Sequence, residues 1–241
     1  MACVQLSNVG VTFRIYDAGQ RSITRRLLGR CEAGLEIAAL NGVDLTLEPG
    51  SRVAVLGSNS SGKTTLMRVI AGLLPPKQGK VVIDGTPGAV FSMGFGVTPE
   101  ANLADLAYAQ GLLMGLAPAE ARAKVAAVLD FAELTDHAEC QAHVAPPGIM
   151  SRFGVAAILC LGADIILLDE VLENMDPRFY QKIEAAILER AAQGAILVMI
   201  ERSRSLLSRF CSEALLLRDG QIAARAPLAD MLPNSGAALT F

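Results

Sequence analysis

A glycine-rich loop between Gly57 and Thr64 carries the clearest chemical signal in the sequence. The run "GSNSSGKT" fits the pattern G-x-x-x-x-G-K-[ST], follows the apolar run "VAVL" and precedes a helical pattern, which is the context that this phosphate-binding motif requires. Backbone N–H groups of such a loop surround a phosphate chain, Lys63 bridges the outer phosphates, and Thr64 offers its hydroxyl group to Mg²⁺. The alternative is a glycine-rich turn with a chance lysine, against which the two fixed glycines and the flanking elements argue. The predicted phosphate-binding residues are Gly57, Ser58, Asn59, Ser60, Ser61, Gly62, Lys63, Thr64 and Thr65.

A second chemical signal is the run "IILLDE", a predicted buried strand that ends in Asp169 and Glu170. Carboxylates at the carboxyl end of a central strand lie where parallel sheets place their ligands. Asp169 is predicted to hold the magnesium through water, and Glu170 to polarise a water for attack on the outer phosphate. Two solvated acids at a strand end are common, so the prediction depends on the phosphate loop upstream. Lys63 and Glu170 are the predicted catalytic residues.

Composition limits the class of protein. The 241 residues are 52% hydrophobic, enough for a sizeable core, and the 21 basic and 24 acidic residues leave no general basic field for nucleic acid. The five cysteines include no CxxC pair, which favours a reducing cytosol. We expect no signal peptide, because the start "MACVQLSNVG" has no basic region followed by a long apolar core. We expect no membrane-spanning segment, because the most apolar run is interrupted by Gly162 and Asp164.

Periodicity predicts an α/β fold. Apolar strands are expected at 53–56, 81–83, 165–168, 196–200 and 214–217, with helical patterns between several of them, so the strands form a parallel sheet buried on both faces. Between Glu100 and Glu133 the pattern is helical only, and "RDGQIAA" reads as a hairpin turn at Asp219-Gly220. The arginine-rich stretch 17–36 is either a basic amphipathic helix at a membrane surface or a solvated surface helix or loop.

These motifs, in this order, make the chain resemble the nucleotide-binding subunit of an ABC transporter over essentially its whole length. The resemblance is carried by "LNGVDLTLEPGSRVAVLGSNSSGKTTLMRVIAGLLPPKQGKVVIDG", the "IILLDE" strand and "NMDP". It implies a P-loop NTPase core with an antiparallel β subdomain and an α-helical subdomain. The single ATP-binding domain would span 1–241, with about 91–159 as the helical subdomain and signature helix, and about 1–90 and 160–241 as the β subdomain and core.

Two further runs resemble the subfamily that exports polysaccharides such as capsule, O-antigen and teichoic chains: "NVGVTFRIYDAGQRSITRRLLGR" and "GAVFSMGFGVTPEANLADLAYAQGLLMGL". In that subfamily the insert after the first strand forms a helix near the membrane. The resemblance implies ATP and Mg²⁺ as cofactors, a membrane permease as partner, and a peripheral location on the cytoplasmic face of the cell membrane. Nucleic acid is not an expected partner.

The resemblance also implies a dimer, of two copies or with a different ATP-binding subunit. Such subunits bind each ATP between the phosphate loop of one copy and the signature loop of the other. Gly148 would bind nucleotide from the signature position, and Asp176 from the position of the family's D-loop. Phe13 or Tyr16 would stack on the adenine, although both rings can equally be core residues.

The sequence departs from the family at several residue positions that the family uses for ATP hydrolysis. The signature loop reads "APPGIMSR", which puts Pro146 where a phosphate-contacting serine is usual, and proline offers neither a hydroxyl nor an N–H group. The switch histidine is replaced by Arg202, or by Glu201 if the alignment slips by one residue. Ser92 stands near the Q-loop position, and Ser60 replaces a usual glycine of the phosphate loop, at a cost in strain if its φ is positive.

Two functions fit these observations. The first is an ATPase subunit, slow in turnover, that drives export of a lipid-linked polysaccharide. The second is a degenerate nucleotide-binding subunit that regulates or assembles a transporter without efficient turnover. Glu170 favours the first, and Pro146, Ser92 and Arg202 favour the second.

Overall fold

A computed structural model describes residues 2–15, 35–91, 100–173 and 175–232 of the chain. The strands in chain order are β1 (Cys3–Ile15), β2 (Leu35–Leu47), β3 (Arg52–Leu56), β4 (Gln78–Asp84), β5 (Pro87–Phe91), β6 (Ile165–Asp169), β7 (Ile196–Ile200), β8 (Glu213–Arg218) and β9 (Gln221–Pro227). The helices are α1 (Lys63–Ile70), α2 (Leu103–Leu113), α3 (Pro118–Phe131), α4 (Pro147–Leu161), α5 (Pro177–Ala192), α6 (Arg204–Phe210) and α7 (Leu228–Met231). Short 3-10 turns lie at Thr135–His137 and Ala142–Val144.

The central sheet has the strand order β5-β6-β7-β3-β8-β9. Its strands are parallel except for β9, which runs antiparallel to β8 at the edge. All five residues of β6 and of β7 are buried, as expected for central strands covered on both faces. Parallel strands end at the same edge of a sheet, so the carboxyl ends of β3, β6 and β7 lie together.

The two faces of this sheet belong to two separate cores because successive side chains of a strand point to opposite sides. Ile166 and Leu168 pack with residues of α5 and α6, whereas Ile165 and Leu167 pack with residues of α1 and of β1 and β2. The second core therefore joins the central sheet to a three-stranded antiparallel sheet of order β2-β1-β4. Helix α1, which follows the phosphate loop, is fixed between the two sheets.

The helices α2, α3 and α4 form a third core centred on Leu103, Val128 and Phe153. Helix α2 begins where the Asn102 side chain accepts a hydrogen bond from the Asp105 N–H at 2.7 Å, and α3 begins with Pro118 in its first turn, a favoured position for proline. The prediction that 100–133 is helical only is confirmed. The β8–β9 hairpin is also confirmed, with φ of 49° at Asp219 and 75° at Gly220, as a type I′ turn requires.

Strand β5 was not predicted. Its five residues include Pro87 and Gly88, which weaken strand propensity, and the strand exists because it pairs in register with β6. Within the described residues, no helix combines the length and the apolar character needed to span a membrane. The predictions for Tyr16, for residues 17–34 of the 17–36 segment and for Ser92 lie outside the described residues, whereas residues 35 and 36 begin β2.

Candidate nucleotide-binding site

The phosphate loop joins β3 to α1, and two of its glycines are required by close backbone contacts. Gly57 has φ of 145° and Gly62 has φ of 105°, a region that favours glycine. A Cβ atom on Gly57 would lie 2.3 Å from the Leu217 carbonyl oxygen, and one on Gly62 would lie 2.4 Å from the Ala39 carbonyl oxygen. The loop is therefore held tightly against β8 and β2, which explains the fixed glycines of the motif.

Lys63 folds its ammonium group back over this loop. The Nζ atom donates hydrogen bonds to the carbonyl oxygens of Gly57 at 2.7 Å and Ser58 at 2.8 Å. Burial lowers the pKa of Lys63, against the opposing effect of the Glu170 and Asp169 carboxylates. The loop thus curves around a cation, and that cation can exchange its carbonyl partners for phosphate oxygens.

Ser60 departs from the glycine-rich pattern of the loop, and the next residue, Ser61, is buried. Ser60 has φ of 68°, so the strain expected of a non-glycine residue in that position is present. Ser61 is 3% exposed, and its hydroxyl oxygen has no hydrogen-bond partner among the described residues. The loop therefore holds a buried polar atom that a ligand is able to satisfy.

Thr64 and Asp169, the two predicted magnesium ligands, are in direct contact. The Thr64 hydroxyl donates to Asp169 Oδ2 at 2.8 Å, which joins the first turn of α1 to the end of β6. Burial raises the pKa of Asp169, which is 5% exposed, and the hydrogen bond from Thr64 works in the opposite direction. Hydroxyl and carboxylate oxygens are the ligands that Mg²⁺ prefers, and a buried carboxylate gains from a nearby cation. The residues therefore fit a magnesium ion.

Glu170 forms an ion pair with Arg202. The Arg202 Nη2 atom donates to Glu170 Oε2 at 3.1 Å, and the Arg202 and Glu170 side chains are 68% and 30% exposed. Of the two possible replacements for the switch histidine, Arg202 is the one whose side chain reaches the predicted catalytic acid. Glu201 is instead buried, and its Oε1 atom accepts a hydrogen bond from the Leu172 N–H at 2.7 Å.

The remaining predicted site residues lie apart from the phosphate loop within one chain. Pro146 is the N-cap of α4 and provides no side-chain cap, and Gly148 lies in the first turn of that helix. The Asp176 side chain caps α5 by accepting a hydrogen bond from the Arg178 N–H at 2.9 Å. Among the described residues, no hydrogen bond or ion pair links Gly148 or Asp176 to residues 57–65.

Phe13 lies near the end of β1, paired in register with Ile37 of β2. The two side chains are 39% and 43% exposed, so Phe13 is not a core residue. Its ring is accessible to a flat aromatic ligand, and its contact with adenine stays a prediction.

Glu201 is a feature of the site to which sequence reasoning gave no role of its own. It follows five consecutive buried apolar residues of β7, and an acid directly after such a strand is the signal that the sequence offers. Its partner Leu172 is 29 residues away along the chain, so the contact itself is visible only in the folded structure.

Comparisons with known proteins identify the family. Residues 40–173, more than half of the chain, match the ABC transporter family. The O-antigen export system ATP-binding protein RfbE of Yersinia enterocolitica is 27% identical over 231 residues, which cover 92% of this chain and 97% of that protein. The teichoic acids export ATP-binding protein TagH of Bacillus cereus is 26% identical over 231 residues, which cover 96% of this chain and 42% of that protein.

A solved structure agrees with this match. The ATP-binding cassette MJ0796, in a dimeric post-hydrolysis state bound to ADP and Pi, is similar with a TM-score of 0.75 and 22% identity, covering 93% of this chain and 98% of that chain. The fold is accordingly that of an ABC ATPase, a P-loop core with an antiparallel β subdomain and a helical subdomain. The phosphate loop, the fold and the family match lead to one conclusion: the chain belongs to the ABC transporter family.

Proposed function

We propose that the chain is the ATP-binding subunit of an ABC exporter, which binds and slowly hydrolyses ATP to drive a lipid-linked polysaccharide through a partner membrane subunit. The observation that carries this proposal is the contact between Thr64 and Asp169 beside the Lys63 ammonium group. The substrate class follows from the relatives, whose names assign them to the export of O-antigen and teichoic acids.

Each side chain of the site has its own role in ATP binding or hydrolysis. Lys63 leaves the carbonyl oxygens of Gly57 and Ser58 and binds the outer phosphates of ATP. Thr64 and Asp169 would hold Mg²⁺, which when bound would neutralise charge on the phosphate oxygens. Glu170 orients a water molecule toward the outer phosphate, a role that needs its carboxylate to be free of Arg202.

Slow turnover follows from the departures at Pro146 and Arg202. Removing one oriented group that contacts the reacting phosphate raises the barrier by about 2 to 4 kcal/mol, a factor of roughly 10² to 10³ in rate. Arg202 compensates in part when its guanidinium group turns from Glu170 to the outer phosphate, since arginine stabilises charge that develops there.

The proposed active form is a head-to-tail dimer. Helix α4 is 15 residues long, and the partial positive charge at its N-terminus, around Gly148, attracts phosphate. In the dimer Gly148 of one copy faces the phosphate loop of the other, and Asp176 meets the same loop. We also propose that each copy consists of two parts. Residues of about 91–159 form the helical subdomain, and residues of about 1–90 and 160–241 form the β subdomain and the core.

The proposed contact with the membrane partner is a groove of about 620 Å³ between α2 and the strand β5. Its lining includes Leu73 and Leu113, which are 65% and 76% exposed, and large exposed apolar side chains of this kind mark interaction sites. The proposed location is the cytoplasmic face of the cell membrane, with the chain attached through this groove.

Single cysteines test the groove. Leu73→Cys and Leu113→Cys, each co-expressed with the permease, are expected to give cross-linked adducts, whereas a cysteine at exposed Glu189 on α5 is not. Absence of adducts at both groove positions would count against this docking site.

A second candidate function is a nucleotide-binding subunit without efficient turnover. The observation that favours it is the ion pair of Arg202 with Glu170, because a carboxylate engaged by a guanidinium group does not orient water. In this function ATP occupancy assembles or gates a transporter and hydrolysis is incidental.

Steady-state ATP hydrolysis by the purified protein separates the two functions. An ATPase subunit is expected to show slow turnover that Glu170→Gln abolishes, whereas the second function predicts the same background rate for both proteins. ATP affinity measured at equilibrium provides the matched test of the loop, because Lys63→Ala is expected to weaken binding strongly. Unchanged affinity in Lys63→Ala would overturn the phosphate-loop assignment and with it both functions.

A further inference from the structure

Glu201 is a buried acid that the mechanism above does not use. It is 5% exposed and directly follows β7, whose five residues are all buried and apolar. A carboxyl group in such surroundings is costly unless hydrogen bonds compensate for the lost water. The partners of this group therefore indicate why it is there.

Glu201 accepts a hydrogen bond from the loop that follows β6. Its Oε1 atom accepts from the Leu172 N–H at 2.7 Å, and the neighbouring Val171 N–H also lowers the pKa of the carboxyl group. Val171 and Leu172 are 2% and 0% exposed, so water does not reach these amides. Each buried N–H group needs an acceptor.

The sheet itself does not supply that acceptor. The last ladder bond runs from the Glu170 N–H to the Ile200 carbonyl oxygen at 2.8 Å, and Glu170 has φ of 51°, which turns the chain out of the strand. The carboxyl group of Glu201, the residue after β7, accepts the hydrogen bond from the Leu172 N–H instead of a further backbone carbonyl of that strand.

The Leu172 peptide is held from its other side as well. The Leu172 carbonyl oxygen accepts from the Tyr180 hydroxyl of α5 at 2.7 Å and from the Met175 N–H at 3.0 Å. The backbone of Leu172 therefore links the end of β7, through Glu201, to helix α5.

Glu201 also precedes Arg202, the ion-pair partner of Glu170. One carboxyl group thus connects the two backbone segments that carry that pair, the loop after β6 and the turn after β7. We propose that Glu201 is a positioning residue, whose buried carboxyl group holds the Val171 and Leu172 amides and thereby sets the geometry of Glu170. The effect on hydrolysis rests on the proposed function, whereas the effect on the loop does not.

Because Glu201 can ionise, the proposal also predicts a pH dependence of ATP hydrolysis, which a purely structural contact would not produce. Burial raises the pKa of Glu201 to about 7, and its Oε2 atom has no partner among the described residues. The groups that face it are the carboxylates of Glu170 and Glu173, the Tyr180 hydroxyl and the Arg202 guanidinium. Ionisation of Glu201 near neutral pH therefore places negative charge beside Glu170, and the rate of hydrolysis is expected to change across that range.

The test uses amide hydrogen exchange of the full chain without nucleotide, followed by ATPase kinetics. In Glu201→Leu, which keeps the size of the side chain and removes the acceptor, the Val171 and Leu172 amides are expected to exchange at least tenfold faster. In Glu201→Gln, whose amide oxygen still accepts, and in the exposed control Glu189→Leu, exchange is expected to stay within threefold of wild type.

The kinetic arm separates positioning from binding. Glu201→Leu is expected to lower kcat at least tenfold with KM for ATP within threefold, because the phosphate loop is untouched. Glu201→Gln is expected to keep at least a third of kcat and to lose the change in rate near pH 7.

Protection of Val171 and Leu172 that is unchanged in Glu201→Leu would overturn the proposal whatever the ATPase result. If Glu201→Leu does not fold, Glu201→Met, which also removes the acceptor, takes its place, and unchanged protection of Leu172 in that variant overturns the proposal. A wild-type protein that does not hydrolyse ATP would overturn the proposed ATPase function, and hydrogen exchange would still decide whether Glu201 holds the loop.

Discussion

At the carboxyl ends of the neighbouring strands β6 and β7, a buried acid is followed by a more accessible charged residue. Asp169 and Glu201 are each 5% exposed, and the residues that follow them, Glu170 and Arg202, form an ion pair with each other at 3.1 Å. The two buried acids nevertheless have different partners. Asp169 accepts from a side-chain hydroxyl of α1, whereas Glu201 accepts from a backbone amide of the loop after β6.

This difference separates a ligand site from a structural contact. The Thr64 hydroxyl both donates and accepts, so its oxygen is able to turn and bind the same cation as the Asp169 carboxylate. A backbone N–H group only donates, so it commits the Glu201 carboxyl group to the role of acceptor. Burial of an acid thus does not by itself indicate a metal site, and the chemistry of its partner does.

The largest effect is expected from Asp169→Asn. The amide keeps an oxygen beside Thr64 and removes the charge that a cation needs, so hydrolysis is expected to fall roughly 10²- to 10³-fold. ATP affinity measured with and without Mg²⁺ is expected to lose its dependence on the ion. Glu189→Gln, at an exposed position on α5, is the control. If the ATP affinity of Asp169→Asn still depends on Mg²⁺, Asp169 is not a metal ligand, and it does not differ from Glu201 in the way proposed.

Glu201→Gln is expected to stabilise the protein at high pH. Because the pKa of Glu201 is raised from 4.5 to about 7 in the folded protein, the folded state binds the proton more tightly, and stability falls as pH rises through that interval. The glutamine carries no charge, so at pH 8 the free energy of unfolding is expected to rise by about 3 kcal/mol at most. At pH 4 little change is expected, because both states are protonated there.

Urea unfolding of wild type and Glu201→Gln at pH 4 and pH 8 measures this difference. Glu189→Gln again serves as control, since an exposed carboxylate has nearly the same surroundings in both states. Equal gains for Glu201→Gln at the two pH values would show that the benefit is not the removal of a buried charge.

Sequence reasoning predicted the phosphate loop and the acids after β6 because their chemistry is local. Gly57 and Gly62 are fixed by the loop conformation, and Asp169 by the end of an apolar strand. Strand β5 was missed because pairing with β6 overrides the weak propensity of "PGAVF". The choice between Glu201 and Arg202 was left open for a similar reason, since a contact 29 or 32 residues away depends on how the strands stack.

The next effect in size is expected from Pro146→Ser combined with Arg202→His, which restores two groups that the family uses at the outer phosphate. Serine at the N-cap of α4 adds a hydroxyl where proline has none, and histidine frees Glu170 from its ion pair. Steady-state ATP hydrolysis is expected to rise at least tenfold. A wild-type rate already typical of ABC subunits and unaffected by the double change would show that the site is completed by other groups.

The smallest effects concern the helices that follow the two strand ends, which are capped by Asp176 after β6 and by Ser203 after β7. The Asp176 carboxylate accepts from the Arg178 N–H at 2.9 Å, whereas the Ser203 hydroxyl accepts from the Leu206 N–H at 3.4 Å, a long bond. Loss of an N-cap costs about 1 kcal/mol of stability, so Asp176→Ala is expected to lower the free energy of urea unfolding by about that amount and Ser203→Ala by less. Asp176→Asn keeps a capping oxygen and is the control. A larger loss in Ser203→Ala than in Asp176→Ala would reverse the order that the two distances predict.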